Sequence, residues 1–212
     1  MSIGVSVEAD GAARAREELE RCIAAGEIAV FPADTLYGLA CDPANAAAID
    51  RIHELKGREE EKPSAIMFFA SGAMRELLSA LGPRTREAIG ALLPGPVTLV
   101  VRNPEWRYPL ACREDPERLG LRLIDGPLAG AGCAVLQTSA NPSGGSPASR
   151  FEDVDPMILG GADLTIDGGE LRGEPSTVVD LTALDGHGGW SILREGALSR
   201  TELARRLAEL GG

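Results

Sequence analysis

Residues 28–39 read Ile28-Ala29-Val30-Phe31-Pro32-Ala33-Asp34-Thr35-Leu36-Tyr37-Gly38-Leu39. Ile28 to Phe31 is a continuous apolar run without alternation, the pattern of a strand buried on both faces. Pro32, which has no N–H to give to a ladder, ends it. The polar pair Asp34-Thr35 follows at once, at a strand end, where open α/β sheets place ligands. Helical patterns flank the run. Before it, Asp10 to Ala25 gathers Ala12, Ala15, Leu19, Cys22 and Ile23 on one face, with Gly26 placed to stop the helix. After it, Asp34 to Leu39 leads into a second helix, from about Ala44 to Leu55, lined by Ile49, Ile52 and Leu55 and stopped by Gly57.

Working outward, further strands are predicted at Ala65–Phe69, Val97–Val101, Leu119–Ile124, Ala134–Gln137, Asp163–Asp167, Ser176–Leu181 and Trp190–Arg194. Helices are predicted at Gly72–Ala80 and Thr85–Leu92, and a closing helix at Arg200–Leu210 is announced by a capping box, Ser199 with Glu202. Residues 102–118 are polar and contain proline, and read as a long surface excursion. There are no repeats and no low-complexity linker. The expectation is a single α/β domain over residues 1–212, built around one mixed sheet.

Composition limits the functions. The 212 residues carry a net charge of −11, which argues against indiscriminate coating of nucleic acid but permits a local basic cleft. The four cysteines (Cys22, Cys41, Cys112, Cys133) form no C-x-x-C pair, and His53 and His187 are far apart. Neither a zinc site nor a disulfide scaffold is expected, and the thiols read as small buried hydrophobes. No signal peptide and no membrane-length apolar run is present, so the protein is expected to be cytoplasmic, with no membrane partner.

The chemistry concentrates in the connections. The chain has 21 basic residues, yet its only lysines, Lys56 and Lys62, fall in Lys56-Gly57-Arg58-Glu59-Glu60-Glu61-Lys62-Pro63-Ser64. A compact ammonium and a planar guanidinium are not interchangeable, so lysine retained here points to a site, against the plain reading of a solvated charged loop. Ser139, Asn141 and Ser146 lie in a hydroxyl- and glycine-rich stretch after Gln137. With Lys56, Arg58 and Lys62 they supply point charges, a planar fork and short donors, which suit a polyphosphate. Ordinary turns would use the same Ser, Gly and Asn residues. Asp34-Thr35 reads equally as a cap or Asx turn, and Arg122, inside an apolar strand, faces either solvent or a site. Neither G-x-x-x-x-G-K-[ST] nor G-x-G-x-x-G occurs. G-x-S-x-G is missing too, which makes Ser139 a poor candidate nucleophile.

Seven ordered segments together resemble the YrdC/TsaC family of threonylcarbamoyl-AMP synthases. They are Phe31 to Leu39, Leu55-Lys56-Gly57-Arg58 with Lys62-Pro63, Leu93 to Leu99, Gly120-Leu121-Arg122, Thr138-Ser139-Ala140-Asn141, Ser176 to Asp180 and Ile192 to Ala197. The resemblance implies a YrdC-like twisted mixed sheet with flanking helices and a concave basic cleft. It implies a nucleotidyltransferase that makes threonylcarbamoyl-AMP and pyrophosphate from L-threonine, bicarbonate and ATP, with Mg²⁺ accompanying ATP. The product would serve a separate tRNA threonylcarbamoyl transferase complex that modifies adenosine 37.

By residue matching, Lys56 and Arg58 would be catalytic. Lys56, Arg58, Lys62, Ser139, Ala140, Asn141, Ser146 and Arg194 would bind ATP, and Thr35, Arg122, Thr138 and Ser176 would hold threonine, with Arg122 forked onto its carboxylate. The metal ligands are not identified, and the run Glu59-Glu60-Glu61 either holds Mg²⁺ or faces solvent. Four positions depart from the family pattern: Ala33, Glu59, Met67 and Arg118. Two other readings remain open at this point: a non-catalytic module with weak tRNA or duplex-RNA binding, and a paralogue using another carbamoyl-transfer substrate.

Overall fold

The computed structural model describes residues 3–57 and 64–208. In chain order the strands are β1 (Ile3–Ser6), β2 (Ala29–Pro32), β3 (Tyr37–Cys41), β4 (Ala65–Phe68), β5 (Val97–Arg102), β6 (Arg118–Leu123), β7 (Ala134–Ser139), β8 (Leu164–Asp167), β9 (Thr177–Asp180) and β10 (Ser191–Arg194). The helices are α1 (Val7–Asp10), α2 (Ala12–Ala24), α3 (Ala46–Lys56), α4 (Arg75–Ser79), α5 (Pro83–Leu92), α6 (Pro109–Cys112), α7 (Pro156–Gly161) and α8 (Arg200–Ala208). The strands form one twisted mixed sheet in the order β1-β8-β2-β3-β7-β4-β6-β5-β9-β10.

Alternation along the strands divides the sheet into two faces. Val97, Leu99 and Val101 of β5 point to one face together with Leu119, Leu121 and Leu123 of β6 and Ile66 and Phe68 of β4. That face is packed by α3, α5 and α8 through Ile49, Ile52, Ile89, Leu92 and Leu203. Ile49 and Ile52 are almost wholly buried, and each contributes about 1.5–3 kcal/mol by leaving water. The other face is covered only in part. There α2 lays Ala15, Leu19, Cys22 and Ile23 over Ala29, Phe31, Ala40, Met67 and Val135. Farther along the same face, β5, β6 and β9 present Thr98, Val100, Gly120, Arg122 and Val178 to a cleft.

Where the predicted elements differ from the observed ones, the reasons are physical. The strand β3 was expected to be a lead-in to a helix. Its five residues are all buried, so they show no alternation, and Gly38 reads as a breaker. Glycine stands there because the strand passes under Phe31, its cross-strand partner: a Cβ on Gly38 would meet the Phe31 ring at 2.9 Å and the Thr138 carbonyl at 3.3 Å. The strand β7 extends through Thr138 and Ser139, which were expected to open a loop. Residues 102–118 are more than a surface excursion. They include α6, and Asn103, Ala111 and Cys112 are buried. The Asn103 amide anchors the segment by donating to the carbonyls of Arg107 (2.8 Å) and Pro116 (2.9 Å).

The helix that carries the first lysine forms as expected. Asn45 caps α3 by accepting from Ala48 N at 3.1 Å, and Gly57 ends it at φ 56°, a left-handed conformation that glycine adopts without strain. All four cysteines are free thiols; three are buried and Cys133 is half-buried. Burial raises Cys22 and Cys41 to about 12, and Cys112 and Cys133 to about 11, so they stay protonated and inert at neutral pH.

Candidate functional site

The cleft holds about 600 Å³. Ala65, Thr98, Val100, Gly120 and Val178 give it a floor of small side chains. Gly120 is not demanded by packing, since an added Cβ would meet Ala65 and Thr98 only at 3.5 Å and 3.8 Å, ordinary contact distances. Its lack of a side chain therefore keeps space open for a ligand rather than letting two strands approach.

One wall carries Arg122, whose ion pair with Asp34 has left water. Arg122 is 5% exposed and its Nη2 donates to Asp34 Oδ1. Gln137 Oε1 lies 3.5 Å from Nη1, too far for a good hydrogen bond. Burial lowers the Arg122 pKa and raises that of Asp34, and each charge partly offsets the effect on the other. Two atoms of this pair, Arg122 Nε and Asp34 Oδ2, are buried with no hydrogen-bond partner among the described residues. Thr35 beside them is nearly buried, and its carbonyl accepts from Gly173 N at 3.0 Å.

The opposite wall is a relay of hydroxyls and a guanidinium. Ser176 Oγ is 3.0 Å from Thr98 Oγ1, and Arg194 Nη2 donates to the Ser176 carbonyl at 2.7 Å and to its Oγ at 3.2 Å. The chain after β10 turns tightly against this segment, with Ala197 N on the Pro175 carbonyl at 2.9 Å. Arg194 has no carboxylate within ion-pair reach among the described residues, and burial lowers its pKa. Arg118, by contrast, is held by Asp180 at 2.6 Å and Asp115 at 3.6 Å. With Arg122 also paired, the described wall is less basic than a count of its arginines suggests.

At the end of β7, Lys56 takes a position the sequence did not indicate. The residue is 4% exposed, and its ammonium donates to the carbonyls of Asn141 (2.6 Å) and Ser139. Ser143 N returns a bond to the Lys56 carbonyl at 2.7 Å. The Asn141 amide donates to Pro142 O (2.8 Å) and Gly145 O (2.7 Å), which leaves its Oδ1 buried and unpartnered among the described residues. The lysine thus ties the end of α3 to the Ser139–Gly145 turn.

Of the predicted site residues, Thr35, Arg122, Thr138, Ser139, Asn141, Ser176 and Arg194 line this one cleft. Lys56, Ala140 and Ser146 do not. Lys56 and Ala140 are buried beside it, and Ser146 is exposed between the lining residues Gly145 and Pro147. Arg58 and Lys62 lie outside the described residues, as does Glu59 with the rest of the acidic run. Ala33 and Met67 belong to the apolar cluster under α2, and Met67 is the register partner of Arg122. Thr98 and Gln137 also line the cleft but were not singled out. The signal that marked Arg122, a polar side chain in an otherwise apolar strand, was present at both.

Chemically, the site can bind an anion at Arg194 or Arg122 and a hydroxyl at Thr35, Thr98 or Ser176. Among the described residues no group of three or more His, Cys, Asp or Glu side chains is placed to hold a metal ion. None of their helices is long and apolar enough to cross a membrane.

Comparison with known proteins adds four findings. Residues 21–196 match the Sua5/YciO/YrdC family, whose description reads Telomere recombination. A threonylcarbamoyl-AMP synthase of Thiobacillus denitrificans is 33% identical over 169 residues, which span 74% of this chain and 85% of the relative. The crystal structure of P. abyssi Sua5 complexed with L-threonine superposes with a TM-score of 0.82 at 28% identity, covering 99% of this chain and 61% of the other. The present chain therefore spans about three fifths of that protein's length. Escherichia coli YciO, at 22% identity, shares the fold with a TM-score of 0.77 over 93% of this chain and 97% of its own.

Proposed function

The chain belongs to the Sua5/YciO/YrdC family, and from that premise we propose that it is a threonylcarbamoyl-AMP synthase, a nucleotidyltransferase acting on L-threonine, bicarbonate and ATP. One observation carries the reading. Seven residues matched to substrate roles come from strands and loops far apart in sequence, and all line the same cleft.

In this reading Arg122, Thr35, Thr138 and Ser176 receive threonine. Lys56, Arg58, Lys62, Ser139, Ala140, Asn141, Ser146 and Arg194 receive ATP, with Lys56 and Arg58 serving catalysis. Threonine is carboxylated on its nitrogen, and the resulting carbamate oxygen attacks the α-phosphorus of ATP, expelling pyrophosphate. Such a displacement depends on positioning and charge stabilisation rather than on a protein nucleophile. To reach a phosphate, the Lys56 ammonium exchanges one of its two carbonyl partners for a phosphate oxygen, which keeps it satisfied throughout.

Mg²⁺ would enter as the metal complex of the triphosphate, as is usual for a hard cation that keeps several waters. Cytoplasmic location and hand-over of the product to a tRNA threonylcarbamoyl transferase complex belong to the same proposal. A purely RNA-binding role has less support, because two of the three described cleft arginines, Arg118 and Arg122, are already neutralised by aspartates. The test is incubation of the full chain with L-threonine, bicarbonate, Mg²⁺ and labelled ATP. Threonine-dependent pyrophosphate release is expected, and its absence would overturn the assignment.

A further inference from the structure

Arg122 lines the cleft and Asp34 lies behind it, and the buried pair they form is incomplete in a specific way. Arg122 spends Nη2 on Asp34 Oδ1, and Nη1 has only the distant Gln137 oxygen at 3.5 Å. Arg122 Nε and Asp34 Oδ2 are shielded from solvent without a partner among the described residues. A buried polar atom left unsatisfied is costly, and more so when it is charged. This pair therefore carries both an unmet donor and an unmet acceptor. The side chains are 6% and 11% exposed, so water supplies little compensation. No simple anion repairs both defects, because it would sit well on the guanidinium and be repelled by the carboxylate. A simple cation fails for the opposite reason. A zwitterion satisfies both atoms at once.

Resting on the threonine-site reading above, we propose that Asp34 is a substrate-binding residue: its Oδ2, shielded behind the cleft-lining Arg122 in this structure, turns to receive the α-ammonium of the amino acid while Arg122 receives the α-carboxylate, displacing the weakly held Gln137 amide. The Arg122–Asp34 pair then acts as a gauge for α-amino acids, independent of the hydroxyl groups that read the side chain. It explains why an arginine meant for a carboxylate already sits against one. Asp34 holds the guanidinium in place when no ligand is bound, and becomes the ammonium acceptor when one is.

The test uses calorimetric binding of two probes to the full chain with a non-hydrolysable ATP analogue present. One probe is L-threonine. The other is 2,3-dihydroxybutanoate, in which a hydroxyl replaces the ammonium. Wild type should bind L-threonine more than about tenfold tighter than the hydroxy acid, the low end of what a charge-assisted bond of about 1.5–3 kcal/mol confers. Asp34→Asn should weaken L-threonine by more than about tenfold and shift the hydroxy acid by less than about threefold, erasing the discrimination.

Equal weakening of both probes would overturn the proposal and leave Asp34 as a positioning residue for Arg122. Equal affinity of wild type for the two probes would overturn it without any variant, so a failure of Asp34→Asn to fold does not shield it. If wild type binds neither probe but does bind the ATP analogue, the threonine site fails as a whole. That outcome is distinct from loss of the ammonium contact alone.

Discussion

Replacing Gly196 by alanine should damage the site through the backbone, without touching a side chain that faces the ligand. A Cβ at position 196 would lie 2.2 Å from the Pro175 carbonyl oxygen, 2.8 Å from the Ser176 carbonyl carbon and 2.9 Å from its oxygen. These are main-chain atoms and cannot rotate aside, so either the 175–176 segment or the turn after β10 must move. The bonds at risk are Ala197 N to Pro175 O (2.9 Å) and Arg194 Nη2 to Ser176 O (2.7 Å). Losing one or both costs about 0.5–1.5 kcal/mol each, and overpacking adds about 1–3 kcal/mol. A total of about 1.5–6 kcal/mol lowers Tm by about 3–24 °C, taking about 2–4 °C per kcal/mol at this chain length.

Because Ser176 and Arg194 are both displaced, the KM values for L-threonine and ATP should rise together. Thermal unfolding by circular dichroism reads the first effect and initial rates of pyrophosphate release read the second. A variant melting within about 1 °C of wild type with unchanged KM values would refute the steric argument.

Other expectations are shorter. Lys56→Met removes the donor to Asn141 O, whereas Ser139 O keeps the Asn141 N–H at 3.0 Å. One orphaned carbonyl predicts a loss of about 1–3 kcal/mol in chemical denaturation, in addition to any fall in rate, and a variant as stable as wild type would deny the lysine its structural role. Thr98→Val deletes the 3.0 Å contact with Ser176 Oγ without changing shape. It should raise the KM for L-threonine by about 2- to 13-fold with little change in Tm, and Thr98→Ser should restore it.

Asp163 bridges Ile28 N (2.9 Å) and Arg51 (3.0 Å). Burial pushes its carboxyl up, but the Ile28 N–H and Arg51 more than offset that, leaving its pKa below 3.8. A depressed carboxyl contributes stability above its unfolded pKa and loses it as pH falls through the folded value. The Tm gap between wild type and Asp163→Asn should therefore be full at pH 6 and close as pH drops below about 4. A gap independent of pH would contradict this.

Much of the architecture was legible because the chain is locally consistent. Ile28 to Phe31 declared a buried strand. Gly26, Gly57 and the Ser199–Glu202 box marked helix ends, and Ser199 Oγ does accept from Glu202 N at 3.3 Å. β3 was not legible, because a fully buried five-residue strand containing Gly38 has neither alternation nor length to announce it. β1 was missed as well. Its short run looks unremarkable until β8 pairs with it in parallel.

In the site, hydroxyls and arginines could be proposed from sequence, but their partners could not. That Asp34 closes onto Arg122, or that Lys56 points into the backbone of the Ser139–Asn141 turn, depends on segments brought together from more than 80 positions apart. Sequence periodicity places a side chain on a face. It does not tell which charge waits across the sheet.

The way Lys56 is held has a consequence for discrimination among nucleotides. It is the last residue of α3, where the helix end concentrates negative partial charge, and two carbonyl oxygens already surround its ammonium. An incoming anion must outcompete all of these local dipoles before the lysine will turn toward it. Attraction grows with the charge the anion brings, whereas the opposing field is fixed by the fold. In the ATP-binding role proposed for it, the lysine would act as a threshold rather than a sticky patch, favouring a triphosphate over a less charged nucleoside monophosphate.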